Sequence, residues 1–308
     1  MIRLALFVLT IAVPFVRGAE LPLLGLAHVE IRVSDFEKAR AFYSDVVGLE
    51  EATDLRIKNE DGSTKLAYFK VNDQQFIEIM PSLKADELVP MTHIAFYTSD
   101  VRKTHEMVGK MGLSPTDIRK APRYGEVFYV KNPPGQKLGV IEFLQYEPDT
   151  MQGKTHGKWL GERRLGKHVE HAGIVTTDVD AAYKFYTETL GFHETWRRSD
   201  KDTGRVIIIH LRLPGSAVDY VELVNQSGKP NLTRAEAGNS AHFSLGVSDV
   251  QEIRRISYQR GMKDDRMQQP RFGRDERWQF NLIDPDGTRI EFMQPRDPAR
   301  RGIPLPKN

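Results

Sequence analysis

Cysteine is missing from the 308 residues, and its absence excludes disulfides, thiolate metal sites, iron–sulfur clusters and a cysteine nucleophile. A metal bound here must rest on His, Asp, Glu or water. The sequence also lacks an excess of either charge. Its 44 Lys and Arg face 42 Asp and Glu, a net +2, and no basic tract stands out, so nothing argues for a nucleic-acid partner. No apolar run reaches the roughly 20 residues that a membrane-spanning helix needs. What remains, 40% hydrophobic and 28% charged, is the composition of a soluble globular chain of about two ordinary domains.

The first residues read as a targeting segment. Arg3 precedes a short apolar run, Leu4 to Val16, which ends at Arg17-Gly18-Ala19-Glu20. A positive start, a brief hydrophobic stretch and small residues before a charge are the pattern of a secretory signal peptide. Residues 1–19 are therefore expected to be removed, leaving an exported protein, periplasmic or secreted, with no stable membrane association. An uncleaved anchor is the alternative.

After that segment one pattern occurs four times. It is His28-Val29-Glu30-Ile31-Arg32-Val33-Ser34-Asp35, and it returns from His93 to Asp100, from His171 to Asp178 and from His242 to Asp249. The Asp lies seven residues after the His in every copy, and a glycine follows it at Gly48, Gly112, Gly191 and Gly261. Apolar or β-branched residues at alternate positions after each His predict a strand with the His on the face opposite the apolar row. The Asp suits the N-cap of a following helix, the Ser34 to Glu37 spacing suits a capping box, and the Gly suits a left-handed helix end. Turn signals such as Asp61-Gly62, Pro134-Gly135, Pro214-Gly215 and Asp286-Gly287 leave room for three more strands per copy. Each copy is thus a βαβββ module.

The last strand of each module carries a second recurring feature, a Glu between apolar residues: Glu78, Glu142, Glu222 and Glu291. An acid in the middle of a buried strand is costly unless it is paired or coordinates a metal. Any one of these His or Glu residues alone is explained by an ordinary structural hydrogen bond. Four copies of both slots are not. The stretch 151–167 is polar and Gly-rich and divides the chain into an N-terminal domain (20–150) and a C-terminal domain (168–296), with an irregular tail at 297–308.

The repeated His, the Phe-Tyr pair in the helix (Phe42-Tyr43, Phe185-Tyr186), the capping Gly and the apolar-Glu-apolar last strand resemble the vicinal oxygen chelate superfamily. That superfamily includes glyoxalases, bleomycin resistance proteins and extradiol dioxygenases. The resemblance covers roughly 26–295. It implies an α+β fold of four βαβββ modules paired into two cup-shaped half-barrels, with a divalent metal inside held by first- and last-strand residues of two modules. It further implies the ligand sets His28, Glu78, His93 and Glu142 in one domain and His171, Glu222, His242 and Glu291 in the other. Two imidazoles and two carboxylates suit an octahedral ion such as Zn, Fe(II), Mn, Ni or Co.

The resemblance also frames the chemistry. Ring-cleaving dioxygenases of the superfamily use two His and one carboxylate, whereas its isomerases and lyases add a fourth ligand and use the metal as a Lewis acid that stabilises an enediolate. The additional carboxylates Glu78 and Glu222 favour a metal-dependent isomerase or lyase acting on a small carbonyl or carboxylate compound, with Glu222 or Glu291 (or Glu78 or Glu142) doubling as ligand and general base. A dioxygenase and a non-catalytic small-molecule-binding protein of the resistance type stay open. Among the other histidines, His105, His156, His168 and His193 read as surface, linker or strand-end residues, and His210 as a side chain able to point into the C-terminal cup and shuttle protons. Arg32, Tyr97 and Tyr220 share a strand face with the ligands and are candidates to contact a substrate anion. Metal identity, substrate and oligomeric state are not legible.

Overall fold

The computed structural model describes residues 20–229 and 231–300, so the expected signal peptide and the end of the tail lie outside the described residues. Two mixed sheets carry the fold, one per half of the chain. The first follows the order β2 (Glu50–Glu51), β4 (Thr64–Lys70), β5 (Phe76–Met80), β1 (Leu23–Arg32), β6 (Met91–Thr98), β9 (Val140–Tyr146), β8 (Gly125–Lys131), β7 (Arg119–Ala121), with the short β3 (Ile57–Lys58) on β4. Its centre is β1 beside β6, flanked by β5 and β9. The second follows β11 (His193–Ser199), β12 (Val206–Arg212), β13 (Tyr220–Asn225), β10 (Val169–Thr176), β14 (His242–Gly246), β17 (Arg289–Met293), β16 (Trp278–Ile283), β15 (Arg271–Phe272). There β10 lies beside β14, flanked by β13 and β17. In both sheets the two first strands run antiparallel to each other, and each runs parallel to the last strand of its own module. This is the expected α+β arrangement of paired βαβββ modules.

Local chemistry places the helices as the repeat predicts. Asp35, Asp100, Asp178 and Asp249 each accept a backbone N–H from the first turn that follows, and Gly48, Gly112, Gly191 and Gly261 all have positive φ. In the modules that open each half, helix α1 (Phe36–Ala41) and helix α3 (Val179–Lys184) end in a wide π-type turn at their Phe-Tyr pair. The Ser34 capping box is not formed. Asp35 is the cap, and the Ser34 hydroxyl and N–H instead donate to Asp286 in the other half. A helix absent from the repeat, α4 (Arg234–Ser240), precedes β14 and carries its own capping box between Thr233 and Glu236.

The apolar row of each first strand (Val29, Ile31; Ile94, Phe96; Ala172, Ile174; Phe243, Leu245) packs under the helices and merges into one core that runs through both halves. Phe96 meets Phe192 across that junction, ring centroids 5.5 Å apart. Polar clips fix the two halves: Asp219 accepts the Leu26 N–H at 2.8 Å, the Gln75 amide donates to Leu26 O and Val169 O, and the Tyr43 hydroxyl donates to Asp284 at 3.1 Å. The opposite faces of the sheets, those bearing the histidines, are thereby left to form two cups. They differ in what fills them.

Candidate metal centres

In the first cup, His28 on β1 and His93 on β6 bring their Nε2 atoms to 2.9 Å of each other. Glu78 on β5 lies 3.6 Å from His28 Nε2 and 3.9 Å from His93 Nε2, and Glu142 on β9 lies 3.9 and 3.8 Å from the same atoms. In the second cup, His171 and His242 face each other at 3.0 Å. Glu291 approaches them at 3.3 and 3.6 Å, and Glu222 approaches His242 at 3.5 Å. All eight residues named from the repeat thus converge, four per cup. An ion with bonds of about 2.1 Å holds neighbouring octahedral ligands about 3.0 Å apart and opposite ones about 4.2 Å apart. The His–His and His–Glu separations of 2.9–3.9 Å are close to that interval. His28, Glu78 and His93 in one cup, and His171, Glu222 and His242 in the other, gather their ligand atoms within 4.8 Å, so both clusters fit a divalent metal, with Glu142 and Glu291 beside them. Buried atoms without a protein partner, Glu142 Oε1, His28 Nδ1 and His171 Nδ1, mark the clusters as polar groups sunk into the fold at a cost.

The surroundings of each ligand set its state. In the C-terminal cup each carboxylate keeps one oxygen for the centre and gives the other to a protein donor. Glu222 Oε2 pairs with His210 at 2.9 Å and Glu291 Oε1 with Arg289 at 3.0 Å. Burial opposes ionisation of both, but the His210 hydrogen bond and the neighbouring histidines hold Glu222 at about 2, and Arg289 and the two histidines hold Glu291 well below the usual range. Burial lowers His171 to about 4. Ionised acids and a neutral imidazole are the forms that bind metal. His242 Nδ1 lies 2.9 Å from Ser240 O, which fixes the tautomer that leaves Nε2 as the ligand atom. Arg289 Nη2 sits 2.8 Å from both ring nitrogens of His242. One atom cannot line up with two diverging lone pairs, so it lies over the ring, and Nε2 still points to the centre.

The N-terminal cup contrasts with this. Burial, with the charge of Glu142 adding, raises Glu78 to about 8. Burial works against the His93 cation, but Glu30, Glu142 and Glu78 outweigh it and raise His93 to about 9. Glu30, set beside Thr92 and 3.6 Å from His93 Nδ1, orients that ring in the manner of a carboxylate behind a metal-bound histidine. A metal entering this cluster has to displace protons from Glu78 and His93.

Strand register shows how far the two cups have diverged. Opposite Glu78 stands Tyr68, and opposite Glu222 stands His210. Opposite Glu142 stands Tyr129, and opposite Glu291 stands Asn281. The partner of His93 is Val140, whereas that of His242 is Arg289, and the slot of Glu30 is taken by Gly173. The first cup is packed by Tyr68, Tyr124, Leu144, Val127 and Tyr146, with Trp159 against them, and the Tyr124 hydroxyl donates to Glu78 and accepts from the Tyr68 hydroxyl. The second opens into a cleft of about 450 Å³ lined by Glu222, Glu291, His210, Gln226, Asp275 and Arg289 among others. His210 is held there between Trp196 and Tyr220, ring centroids 4.6 and 4.7 Å away.

The remaining candidates fall outside the ligand shells. Arg32 pairs with Glu87 beside a shallow cleft that also reaches His93, Tyr97 stacks on Tyr146, and Tyr220 lies over the His171 ring at 4.5 Å. His105 contacts Thr116 O, His156 Asp73, His168 Asp219 and His193 Glu20. Arg289 and Gly173 were not singled out from the sequence. A position-by-position comparison of the copies would have exposed both, since Arg289 stands two residues before Glu291 where Val140 stands before Glu142.

Comparison with known proteins agrees with this geometry. The profile of the Glyoxalase/Bleomycin resistance protein/Dioxygenase superfamily matches residues 25–140 and 168–292. A probable chloroplastic lactoylglutathione lyase of Arabidopsis thaliana is 23% identical over 277 residues, spanning 87% of this chain and 72% of the relative. Among solved structures, an extradiol ring-cleaving dioxygenase from B. fuscum superposes with a TM-score of 0.67 at 23% identity, covering 91% of this chain and 75% of that one. The 2,3-dioxygenase LapB from Pseudomonas sp. KL28 gives 0.68 at 19% identity, covering 93% and 98%. The structural likenesses establish the fold.

Proposed function

Because the chain belongs to the glyoxalase/bleomycin resistance protein/dioxygenase superfamily, we propose that it is a divalent-metal-dependent lyase or isomerase of a small carbonyl compound, with its active site in the C-terminal cup. The observation that carries this reading is Glu222. It gathers with His171 and His242 in one cluster, and Glu291 approaches the same two histidines at 3.3 and 3.6 Å. Against burial, the His210 hydrogen bond and the neighbouring histidines favour the carboxylate form of Glu222, which opens onto the 450 Å³ cleft. With Glu291 counted, four protein residues would hold the metal and would leave two positions of an octahedral ion, enough for two oxygens of a chelating substrate but not for a chelate plus dioxygen.

When bound, Zn, Fe(II), Mn, Ni or Co supplies a Lewis acid that polarises the substrate carbonyl. The protein supplies the rest. Glu222 is the general base for the adjacent C–H, and His210, hydrogen-bonded to its second oxygen, takes over or returns the proton. Trp196 and Tyr220 clamp the His210 ring so that this transfer needs no side-chain reorientation. Glu291, tied to Arg289, stays a ligand. In the N-terminal cup Tyr68, Tyr124 and Tyr146 pack over the cluster, and the open cleft of about 570 Å³ beside it is lined by His93 but not by His28, Glu78 or Glu142, so that cluster is assigned no catalytic step. The Arabidopsis relative, named a lyase, supports the reaction class, and dioxygenase likenesses below 25% identity do not decide against it.

The test is turnover of a 2-oxoaldehyde hemithioacetal panel and a catechol panel by metal-reconstituted protein in deuterated water, with dissolved oxygen monitored. Deuterium incorporation at the carbon next to the carbonyl without oxygen uptake is expected. Oxygen-coupled ring cleavage of a catechol would replace this reading with a dioxygenase, and metal binding without any turnover would replace it with a binding protein.

A further inference from the structure

The charges that line the C-terminal cleft are unequal. Four guanidinium groups, Arg198, Arg271, Arg274 and Arg289, face three carboxylates, Glu222, Asp275 and Glu291. Two of those carboxylates belong to the ligand set, and a divalent cation on it makes the cleft strongly positive. Arg289 is already used by Glu291, Asn239 O and the His242 ring. The other three are not used: among the described residues, none of Arg198, Arg271 and Arg274 has a side-chain hydrogen bond or ion pair, and the buried Arg198 Nε lacks a partner outright.

Their positions are set by the backbone. Arg198 lies on β11 (His193–Ser199), two residues past Trp196, and Arg271 and Arg274 flank the turn between β15 (Arg271–Phe272) and β16 (Trp278–Ile283). Those two edges are the ends of the second sheet, so the arginines approach one cleft from opposite rims. The turn holds its own acids inward. Asp275 and Glu276 are buried, and Glu276 takes the left-handed backbone (φ 64°) that turns the loop while Arg271 and Arg274 stay exposed. Gly273 makes room for this, because a Cβ there would lie 2.2 Å from Asp275 Oδ1. The N-terminal cluster has no counterpart, since the cleft reaching His93 balances Arg32 and Lys137 against Glu30 and Glu87.

We propose that Arg198, Arg271 and Arg274 form a recognition site for a carboxylate that the substrate carries away from its chelating oxygens. The substrate is then an acid with two separate oxygen-bearing ends, one for the metal and one for the rim. Planar guanidinium groups match a carboxylate in two-point geometry, and a partly buried one without a partner gains most from the match. This deepens the proposed function and rests on it for the position of the chelating end.

Two probes separate the ends. 2-Oxoglutarate and 2-oxopentanoate share the metal-chelating 2-oxoacid group and differ in the distal carboxylate alone. Titrated into cobalt-loaded full-length protein and followed by calorimetry and the visible cobalt spectrum, 2-oxoglutarate is expected to bind about tenfold tighter or more. Arg271→Ala/Arg274→Ala and Arg198→Ala are expected to remove that preference while 2-oxopentanoate binding is kept. Equal affinities, or a preference that survives these substitutions, would overturn the assignment. Should neither compound change the cobalt spectrum, the chelation reading fails, and malonate binding to the metal-free protein decides the rim alone: binding lost in the arginine variants upholds it, and no binding removes it.

Discussion

Gly173 stands opposite His242 in the β10–β14 pair, and its missing side chain is what gives that imidazole its place. A Cβ built on Gly173 would lie 2.1 Å from both Cε1 and Nδ1 of His242 and 3.0 Å from Cγ. Reaching the 3.4 Å of ordinary contact requires the ring to retreat by about 1.3 Å. It has little freedom to do so, because Ser240 O holds Nδ1 and Arg289 lies over the ring. Metal–ligand distances tolerate changes of about 0.2 Å, so Gly173→Ala costs the site one ligand. Metal affinity is expected to fall at least 10- to 100-fold, the range seen when ligand orientation is lost. Crowding alone costs about 1–3 kcal/mol of stability. The assay is a competitive metal titration in a His28→Ala/His93→Ala background, with elemental mass spectrometry for occupancy and thermal melting for stability. A Gly173→Ala protein that binds metal as tightly as its parent would refute the placement of His242 in the ligand set.

Other consequences are accessible to similar assays. Glu222→Gln keeps the shape and the contact with His210 but removes the base, so kcat is expected to fall by about 10²–10⁴, whereas Glu78→Gln leaves kcat unchanged; steady-state kinetics on metal-saturated protein compares them. Burial raises Asp284 to about 6, with the charge of Asp286 adding and hydrogen bonds from the Thr288 and Asp286 N–H groups opposing. The folded protein therefore holds a proton that the unfolded chain releases near 3.9, and the stability tied to it is complete below that value and lost as pH rises through 6, about 3 kcal/mol in all. Asp284→Asn is expected to flatten the pH 4–7 stability profile measured by urea unfolding; an unchanged slope would contradict this. Phe143 stacks on Phe128 with centroids 5.1 Å apart and meets Phe96 at 5.9 Å, so Phe143→Ala should cost about 3–5 kcal/mol in the same unfolding assay.

Much of this was legible because the chain repeats itself. The His and Glu slots recur at a fixed position in each copy, and strand periodicity alone sends them to the face opposite the apolar row, which is where all eight lie. Helix caps followed from local chemistry for the same reason. The unread parts depend on pairing between distant strands. Helix α4 falls between modules, where no repeat reports on it. Which cup is filled is decided by residues such as Tyr68 against His210 and Val140 against Arg289, whose meaning depends on knowing which Glu or His each one faces. Ser34 was read as part of a local cap, but its partner is Asp286 in the other half of the chain, a contact invisible to sequence spacing.

The account turns on one cup being the catalytic one. Turnover per protein should therefore be measured side by side for His171→Ala/His242→Ala and His28→Ala/His93→Ala, each reconstituted with the same metal and its occupancy counted. The first is expected to lose all activity and the second to keep it. Activity that survives loss of His171 and His242, and disappears with His28 and His93, would contradict the account.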